Sequence, residues 1–265
     1  MPGVCVLALL GCMGDGPAHR ATRLVAETPP AGVSVEGRAI ECRAFGYGSQ
    51  AVLIVGGIHG NEPASAVLAR GLCAYLDAHP QAARGRQVLV VPAANPDGLA
   101  RATRANARGV DLNRNFATAN WGRGAHAAGP EPMSEPATRF IAGLIRRYRP
   151  AAIVQIHQPL ACVDWDGPAS ALAAAMARLA GLPARKLGAR PGSLGSYAGV
   201  DRRIPTVTLE LPRTATRLDE GAVWDRYGEA LLAAVRWEPT RITTGRGPAI
   251  DVHGEMRMRW GHSSE

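Results

Sequence analysis

The chain has 265 residues, of which 46% are hydrophobic and 20% are charged. A chain of this length can bury a full core and contains no internal repeat, so we expect one domain and exclude a repeat array. The net charge of +8 invites a nucleic-acid partner, but the arginines are spread without a basic run or an aromatic stacking module, so we expect none.

The first 30 residues predict a leader segment. The apolar run from Val4 to Cys12 resembles a lipoprotein signal in which Cys12 would carry the lipid anchor, although no Lys or Arg precedes Arg20. The alternative is an extra strand or a disordered leader in a cytoplasmic protein. The run is too short to span a bilayer as a helix, so we expect no transmembrane segment there.

A histidine and a glutamate follow the first strongly apolar strand. The run 51–55 predicts a buried strand, and His59 and Glu62 come directly after it, three residues apart. In α/β sheets, ligands usually bind at the carboxyl ends of strands. An imidazole and a carboxylate at this spacing therefore indicate the start of a catalytic zinc site, which needs a third protein ligand from elsewhere in the chain.

Three later apolar runs also predict strands, at 88–91, 151–157 and 206–209. The second ends in His157, which is the candidate third ligand. Glu210 follows the last of them.

Amphipathic helices alternate with these strands. Apolar side chains recur at helical spacing over 68–76, over 140–148 after Ser134 as the predicted N-cap, and over 223–235. Alternation of strands with helices predicts a largely parallel sheet that is covered on both faces.

The ordered motifs, which extend over roughly residues 33–238, resemble the zinc metallocarboxypeptidase family. Within it, bacterial murein peptide amidases are similar to the stretches Arg104–Trp121 (RANARGVDLNRNFATANW), His157–Cys162 (HQPLAC) and Pro191–Tyr197 (PGSLGSY). Those enzymes cut the bond between γ-D-glutamate and meso-diaminopimelate. The resemblance implies a three-layer α/β fold over 31–240, with a mixed, roughly eight-stranded sheet, helices on both faces and zinc at the strand ends.

The resemblance also implies the roles of the catalytic residues. One zinc ion per chain would be bound by His59, Glu62 and His157. Glu210 would accept a proton from the attacking water and deliver it to the leaving amine, and Arg104 would stabilise the negative charge on the carbonyl oxygen.

Substrate-binding residues follow from the same comparison of motifs. Asn113 and Arg114 correspond to the pair that holds the terminal carboxylate, which the planar guanidinium fork suits. Gly195 lies at or near the position that defines the specificity pocket in digestive relatives, where glycine would leave room for a longer, polar side chain. We assign Asp164 and Asp166, just beyond the His157 strand, to the second ammonium of diaminopimelate.

The resemblance therefore implies a zinc-dependent peptidase or amidase that removes a C-terminal amino acid, meso-diaminopimelate, from small γ-D-glutamyl-linked murein peptides. Two alternatives are a zinc deacylase of the succinylglutamate desuccinylase or aspartoacylase type and a non-catalytic binder of wall peptides. The resemblance to murein-recycling enzymes favours the cytoplasm over the periplasm or an envelope lipoprotein. Residues 241–265 lack periodicity and predict a poorly ordered tail.

Overall fold

The computed structural model describes residues 29–124 and 126–238. The predicted leader, including Cys12, lies outside the described residues except for its last two positions, and the predicted tail lies outside them entirely. Both assignments stay predictions. Within the described ranges, no helix has the length and apolar character needed to cross a membrane.

The eight strands of the described chain form one mixed sheet and one small hairpin-like sheet. They are β1 (Gly32–Val33), β2 (Ala39–Ile40), β3 (Arg43–Phe45), β4 (Ala51–Val55), β5 (Gln87–Val91), β6 (Ala152–His157), β7 (Leu160–Asp166) and β8 (Thr206–Pro212). The six-stranded sheet has the order β3-β5-β4-β6-β8-β7, and β1 pairs separately with β2. The inner four strands are parallel, whereas β3 and β7 are antiparallel edges.

Helices cover both faces of this sheet, which confirms the predicted three-layer α/β fold. They are α1 (Pro63–Ala78), α2 (Pro96–Arg101), α3 (Pro136–Tyr148), α4 (Ser170–Ala180) and α5 (Glu220–Val235). Helices α1, α4 and α5 pack together against one face. The other face is covered by α3 and by two irregular segments that contain Phe116 and Tyr197.

Strand β4 shows why the parallel strands are apolar at every position. All five of its residues are buried. Val52 and Ile54 belong to the core beneath α1, α4 and α5, whereas Leu53 and Val55 belong to the core beneath α3. Successive side chains of a strand point to opposite faces, so a strand between two helical layers buries both sets.

The start of α3 differs from the prediction. The residue at its N-cap is Glu135, not Ser134, and the helix begins at Pro136. Proline suits the first helical position because its missing N–H would have no partner there. The Ser134 hydroxyl instead donates to Glu135 Oε1 at 2.8 Å and accepts from Asn115 Nδ2 at 2.9 Å.

The sheet topology brings the predicted zinc ligands and Glu210 to one edge. Strands β4, β6 and β8 run in the same direction as neighbours, so their carboxyl ends meet. His59 follows β4, His157 is the last residue of β6, and Glu210 lies in β8 opposite it.

Candidate metal centre and active site

Three buried side chains converge at the carboxyl ends of the parallel strands. His59, Glu62 and His157 have only 2%, 5% and 3% of their surfaces exposed. His59 Nδ1 lies 2.8 Å from Glu62 Oε1, and His157 Nδ1 lies 2.9 Å from Glu62 Oε2. The two Nδ1 atoms are 3.1 Å apart. Within the described residues, this is the cluster whose ligand atoms could hold a metal ion.

The glycines of the β4–α1 turn allow this close approach. Gly57 has a φ of +61°, a left-handed conformation that favours glycine. A Cβ on Gly60 would lie 1.9 Å from the carbonyl carbon of Gly98, so a side chain there would collide with the backbone of α2. The turn therefore needs glycine at both positions to deliver His59 and Glu62 to the site.

Hydrogen bonds on the far sides of the two rings orient both histidines. His59 Nε2 lies 3.0 Å from Asp111 Oδ1, and His157 Nε2 lies 3.2 Å from Gln155 Oε1. A neutral imidazole that donates from Nε2 to an oxygen carries its lone pair on Nδ1. These acceptors therefore favour the tautomers in which both Nδ1 lone pairs face the centre, as metal-ligating histidines require.

The spacing and chemistry of the three ligands fit a zinc ion. Ligands at tetrahedral zinc are separated by about 3.3 Å when each bond is about 2.0–2.1 Å. The three observed separations, 2.8, 2.9 and 3.1 Å, are close to this value. Burial raises the pKa of Glu62, but hydrogen bonds with His157 and His59 outweigh it and hold that pKa well below its usual range. Glu62 is therefore ionised, as a carboxylate ligand of a metal must be.

Glu210 lies beside this cluster without belonging to it. Glu210 is the residue of β8 that is paired with His157 of β6. Its Oε2 accepts a long hydrogen bond of 3.4 Å from the backbone N–H of Leu160. Burial raises the pKa of Glu210, while the nearby His157 lowers it by a smaller amount. A carboxyl group whose pKa is raised toward neutrality is suited to exchange protons in general acid–base catalysis.

Arg104 reaches the centre from the loop after α2. Its Nε donates to Asp111 Oδ2 at 2.9 Å, and one terminal nitrogen donates to Glu62 Oε1 at 3.3 Å. The side chain is 45% exposed and lines the cleft above the cluster. Its remaining N–H groups can therefore face a bound substrate.

Asn113 and Arg114 line the same cleft. The Asn113 side chain is held by the backbone N–H of Leu194, which donates to its Oδ1 at 2.8 Å. Arg114 donates to the backbone carbonyl of Asn113 at 2.6 Å. Burial lowers the pKa of Arg114, and the positive charges of Arg104 and Arg190 lower it further, against the opposing effect of Asp111.

The two predicted ammonium-binding residues are buried on β7. Asp164 Oδ1 accepts from the backbone N–H of Leu187 at 2.9 Å, and Asp166 Oδ1 accepts from Lys186 Nζ at 3.0 Å. Both aspartates line the cleft. Burial raises the pKa of Asp166 and Asp164 raises it further, whereas Lys186 opposes the rise.

Gly195 lies next to Asp166 and does not line the cleft itself. A Cβ at Gly195 would lie 2.1 Å from Asp166 Oδ2. The space that we expected glycine to leave for a substrate side chain therefore holds the Asp166 carboxylate. Every predicted site residue except Gly195 lines the cleft, which has a volume of about 290 Å³.

Sequence reasoning assigned no role to Asp111 or Gln155, which orient the two histidines. Gln155 is two residues before His157 on β6, so both side chains face the same way. Gln155 is a polar residue within a mostly apolar strand, and this feature of the sequence could have indicated its role. Asp111 is part of the Asp-Leu-Asn-Arg segment, but its contact with His59, 52 residues away, depends on the fold.

Buried nitrogen and carboxylate ligands at the strand ends, with a carboxyl group beside them, define a metal-dependent hydrolase. The family model described as zinc carboxypeptidase matches residues 22–162. The chain belongs to the zinc carboxypeptidase family, as its motifs predicted.

Curated relatives and solved structures agree with this assignment. The chain is 37% identical to murein peptide amidase A of Escherichia coli K12 over 204 residues, which are 71% of this chain and 80% of the relative. The corresponding protein of Vibrio campbellii is 32% identical, with 71% and 78% covered. The crystal structure of murein-tripeptide amidase from E. coli O157 matches with a TM-score of 0.64 at 32% identity, and covers 81% of this chain and 95% of that one.

A more distant solved structure shares the fold alone. Bovine thrombin-activatable fibrinolysis inhibitor, in complex with tick carboxypeptidase inhibitor, matches with a TM-score of 0.64 at 20% identity. The match covers 77% of this chain and 86% of that one.

Proposed function

We propose that this protein is a zinc-dependent amidase that releases meso-diaminopimelate from the C-terminus of γ-D-glutamyl-linked murein peptides. The observation that carries this proposal is the convergence of His59, Glu62 and His157, with Glu210 beside them. Its substrate class is supported by the 37% identity to the E. coli murein peptide amidase. The substrate is a small peptide, which agrees with the cleft volume of about 290 Å³.

One zinc ion per chain would be held by His59, His157 and Glu62, whose ligand atoms lie close enough together to bind a metal ion. When bound there, zinc would supply Lewis-acid chemistry, which typically brings the pKa of a bound water molecule to about 7 and polarises a carbonyl group. Asp111 and Gln155 keep the two imidazoles in the tautomers that this binding needs.

Glu210 acts as general base and then as general acid. Its carboxylate takes the proton of the attacking water, and the resulting carboxylic acid gives that proton to the amine of the leaving amino acid. Both steps use the same group, so the carboxylate is regenerated when the C–N bond breaks. The raised pKa of the buried Glu210 favours the first step, because a carboxylate with a higher pKa takes a proton from water more readily.

Arg104 donates a charge-assisted hydrogen bond to the carbonyl oxygen as negative charge develops on it. Its contacts with Asp111 and Glu62 fix the guanidinium before substrate arrives. Asn113 and Arg114 hold the substrate's terminal carboxylate, and the bond from Leu194 keeps the Asn113 amide in place.

Asp164 and Asp166 select the second ammonium group of diaminopimelate. Both are acidic, buried and open to the cleft. Gly195 supports this selection indirectly, because only a residue without a side chain lets Asp166 occupy its present position.

The test is hydrolysis by the zinc-loaded protein of the tripeptide L-Ala-γ-D-Glu-meso-diaminopimelate, beside acetylated aspartate and succinylated glutamate. Release of free diaminopimelate supports the proposal. Cleavage of the acylated amino acids alone would assign the protein to the zinc deacylases. Tight binding of the tripeptide without turnover would make it a non-catalytic binder of wall peptides.

We also propose that the protein acts in the cytoplasm on released wall fragments, as its resemblance to murein-recycling enzymes favours. Cell fractionation with the full sequence tests this. Membrane-associated protein that becomes soluble in a Cys12→Ser variant would instead support an envelope lipoprotein.

A further inference from the structure

A second cavity adjoins the catalytic cleft and is lined by arginines. We call it the arginine basin, and its volume is about 660 Å³. Its charged and titratable lining comprises Arg104, Asp111, Arg114, Arg123, His126 and Arg190. Arg104, Arg114 and Arg190 also line the catalytic cleft, so the two spaces are continuous at these side chains.

Among the described residues, positive charge in the arginine basin is only partly neutralised. Asp111 is the acidic residue in its lining, and this carboxylate already binds His59 and Arg104. Over residues 29–124 and 126–238, the guanidinium groups of Arg123 and Arg190 have no carboxylate within ion-pair distance. Four guanidinium groups around one solvent-filled space attract an anion and can bind it through several N–H donors.

The positive charges of Arg104 and Arg190 also act on Arg114. Its pKa is lowered first by burial, and the charges of Arg104 and Arg190 lower it further. An anion bound among them would relieve this repulsion. Together with the cavity and its four guanidinium groups, this repulsion gives the basin the electrostatic character of an anion-binding site.

The place of the basin relative to the substrate rests on the proposed function. The terminal carboxylate and the second ammonium of diaminopimelate would occupy the cleft at Arg114 and at Asp164 and Asp166. Neither aspartate lines the basin, whereas Arg104 and Arg114 lie where the two spaces meet. The proposed function puts the scissile carbonyl at Arg104 and the diaminopimelate residue on the cleft side of it. The part of the substrate left to enter it is the acyl residue.

A γ-linked glutamate carries a free carboxylate at this point. Two methylene groups and one methine separate its α-carboxylate from the scissile carbonyl, and an ordinary α-linked peptide has no such group on its backbone. We propose that the arginine basin binds the α-carboxylate of the γ-linked glutamate. The enzyme would thereby distinguish a γ-glutamyl peptide with a free α-carboxylate from one in which that group is amidated.

The experiment compares two substrates that differ only at this group: L-Ala-γ-D-Glu-meso-diaminopimelate and its isoglutamine counterpart, in which the α-carboxylate is a carboxamide. The wild type should prefer the carboxylate by about tenfold or more in kcat/KM, as expected for hydrogen bonds between charged groups. Arg123→Gln should lower this preference by up to about fivefold, the range of exposed charge pairs. The kcat/KM for the carboxamide substrate should not change in this variant. A structural defect would instead lower kcat/KM for both substrates.

Arg178→Gln is the matched control, because it removes one positive charge from the exposed side of α4, on the opposite face of the sheet. It should leave the preference unchanged. The double variant Arg123→Gln/Arg190→Gln should reduce the preference further than either change alone. An unaltered preference in the double variant would overturn the inference.

A small neighbouring pocket next to Asn61 and Thr216 contains another arginine, Arg213. If Arg213→Gln lowers the preference and Arg123→Gln does not, the carboxylate binds in that pocket and the inference is wrong.

Binding of the product dipeptide L-Ala-D-Glu, measured by calorimetry, separates failure of this inference from failure of the proposed function. Weaker binding to Arg123→Gln without any tripeptide hydrolysis by the wild type would support the basin and reject the proposed reaction. Normal hydrolysis of the tripeptide, with dipeptide binding that does not depend on Arg123 or Arg190, would support the proposed reaction and reject the basin.

Discussion

His157 and Glu210 are directly opposite each other in the parallel pairing of β6 with β8. Two residues earlier, on the same face, Gln155 is opposite Thr208 and donates to its hydroxyl at 2.8 Å. The separation between the imidazole of His157, a candidate metal ligand, and the carboxyl group of Glu210 is therefore set by the hydrogen bonds of the central sheet. Sites on strands are held more rigidly than sites on loops.

Replacing Glu210 by glutamine should remove catalysis while preserving zinc. Glutamine has nearly the same shape but cannot accept the proton from water, so we expect kcat to fall by about 10²–10⁴-fold. Zinc content, measured by atomic absorption, should stay at the wild-type level because Glu210 is outside the ligand cluster. Loss of zinc from this variant would mean that Glu210 is itself a ligand.

Replacing Asp111 by asparagine should weaken zinc binding. The change removes the charged acceptor that orients His59 through Nε2, and such second-layer changes typically cost about 10–100-fold in metal affinity. Competition with a chelator measures the affinity. Asp219→Asn is the control, since it removes one negative charge at the N-cap of α5 and keeps a capping side chain. Equal zinc affinities in all three proteins would contradict the assigned role of Asp111.

Replacing Gly195 by alanine should displace Asp166. The new Cβ would lie 2.1 Å from Asp166 Oδ2, so the carboxylate must move. We expect KM for diaminopimelate peptides to rise about tenfold, as for a weakened hydrogen bond to a charged group. Gly143→Ala provides the control within α3, where a Cβ meets nothing within 4 Å and alanine should stabilise the helix by about 1 kcal/mol. An unchanged KM for Gly195→Ala would separate Gly195 from substrate selection.

Selectivity for the ammonium group should depend on pH through Asp166. Burial raises the pKa of Asp166, with a further rise from Asp164, so this carboxylate becomes neutral at a higher pH than an ordinary aspartate. The preference for diaminopimelate over norleucine at the peptide terminus should be full above that pKa and fall as the pH drops through it.

Lys186 gives this pH dependence a direct check. Lys186 opposes the rise in the Asp166 pKa, so Lys186→Met should move the loss of preference to a higher pH. The ratio of kcat/KM values for the two peptides, measured across the pH range, reports the shift. A profile in Lys186→Met that coincides with the wild type would show that Asp166 does not control this preference.

The predictable part of the structure was the part encoded locally. Buried parallel strands appear as continuous apolar runs, so β4, β6 and β8 could be identified and the ligands located at their ends. Together with the family motifs, this was enough for the fold class and for the group of residues that line the cleft.

What the sequence did not reveal depends on contacts between distant segments. The Asp166 carboxylate fills the space at Gly195, 29 residues later, and no local pattern encodes that contact. Likewise, the eight strands divide into sheets of six and two because β1 and β2 pair only with each other. The cap of α3 was misassigned because Ser134 finds partners in Asn115 and Glu135 that compete with capping.

The most direct test of the account is to identify the products of L-Ala-γ-D-Glu-meso-diaminopimelate by mass spectrometry, with zinc-loaded wild type and Glu210→Gln in parallel. The account predicts L-Ala-D-Glu and free diaminopimelate from the wild type, and neither product at a comparable rate from the variant. An intact tripeptide after incubation with the zinc-loaded wild type, or equal product formation by Glu210→Gln, would contradict it.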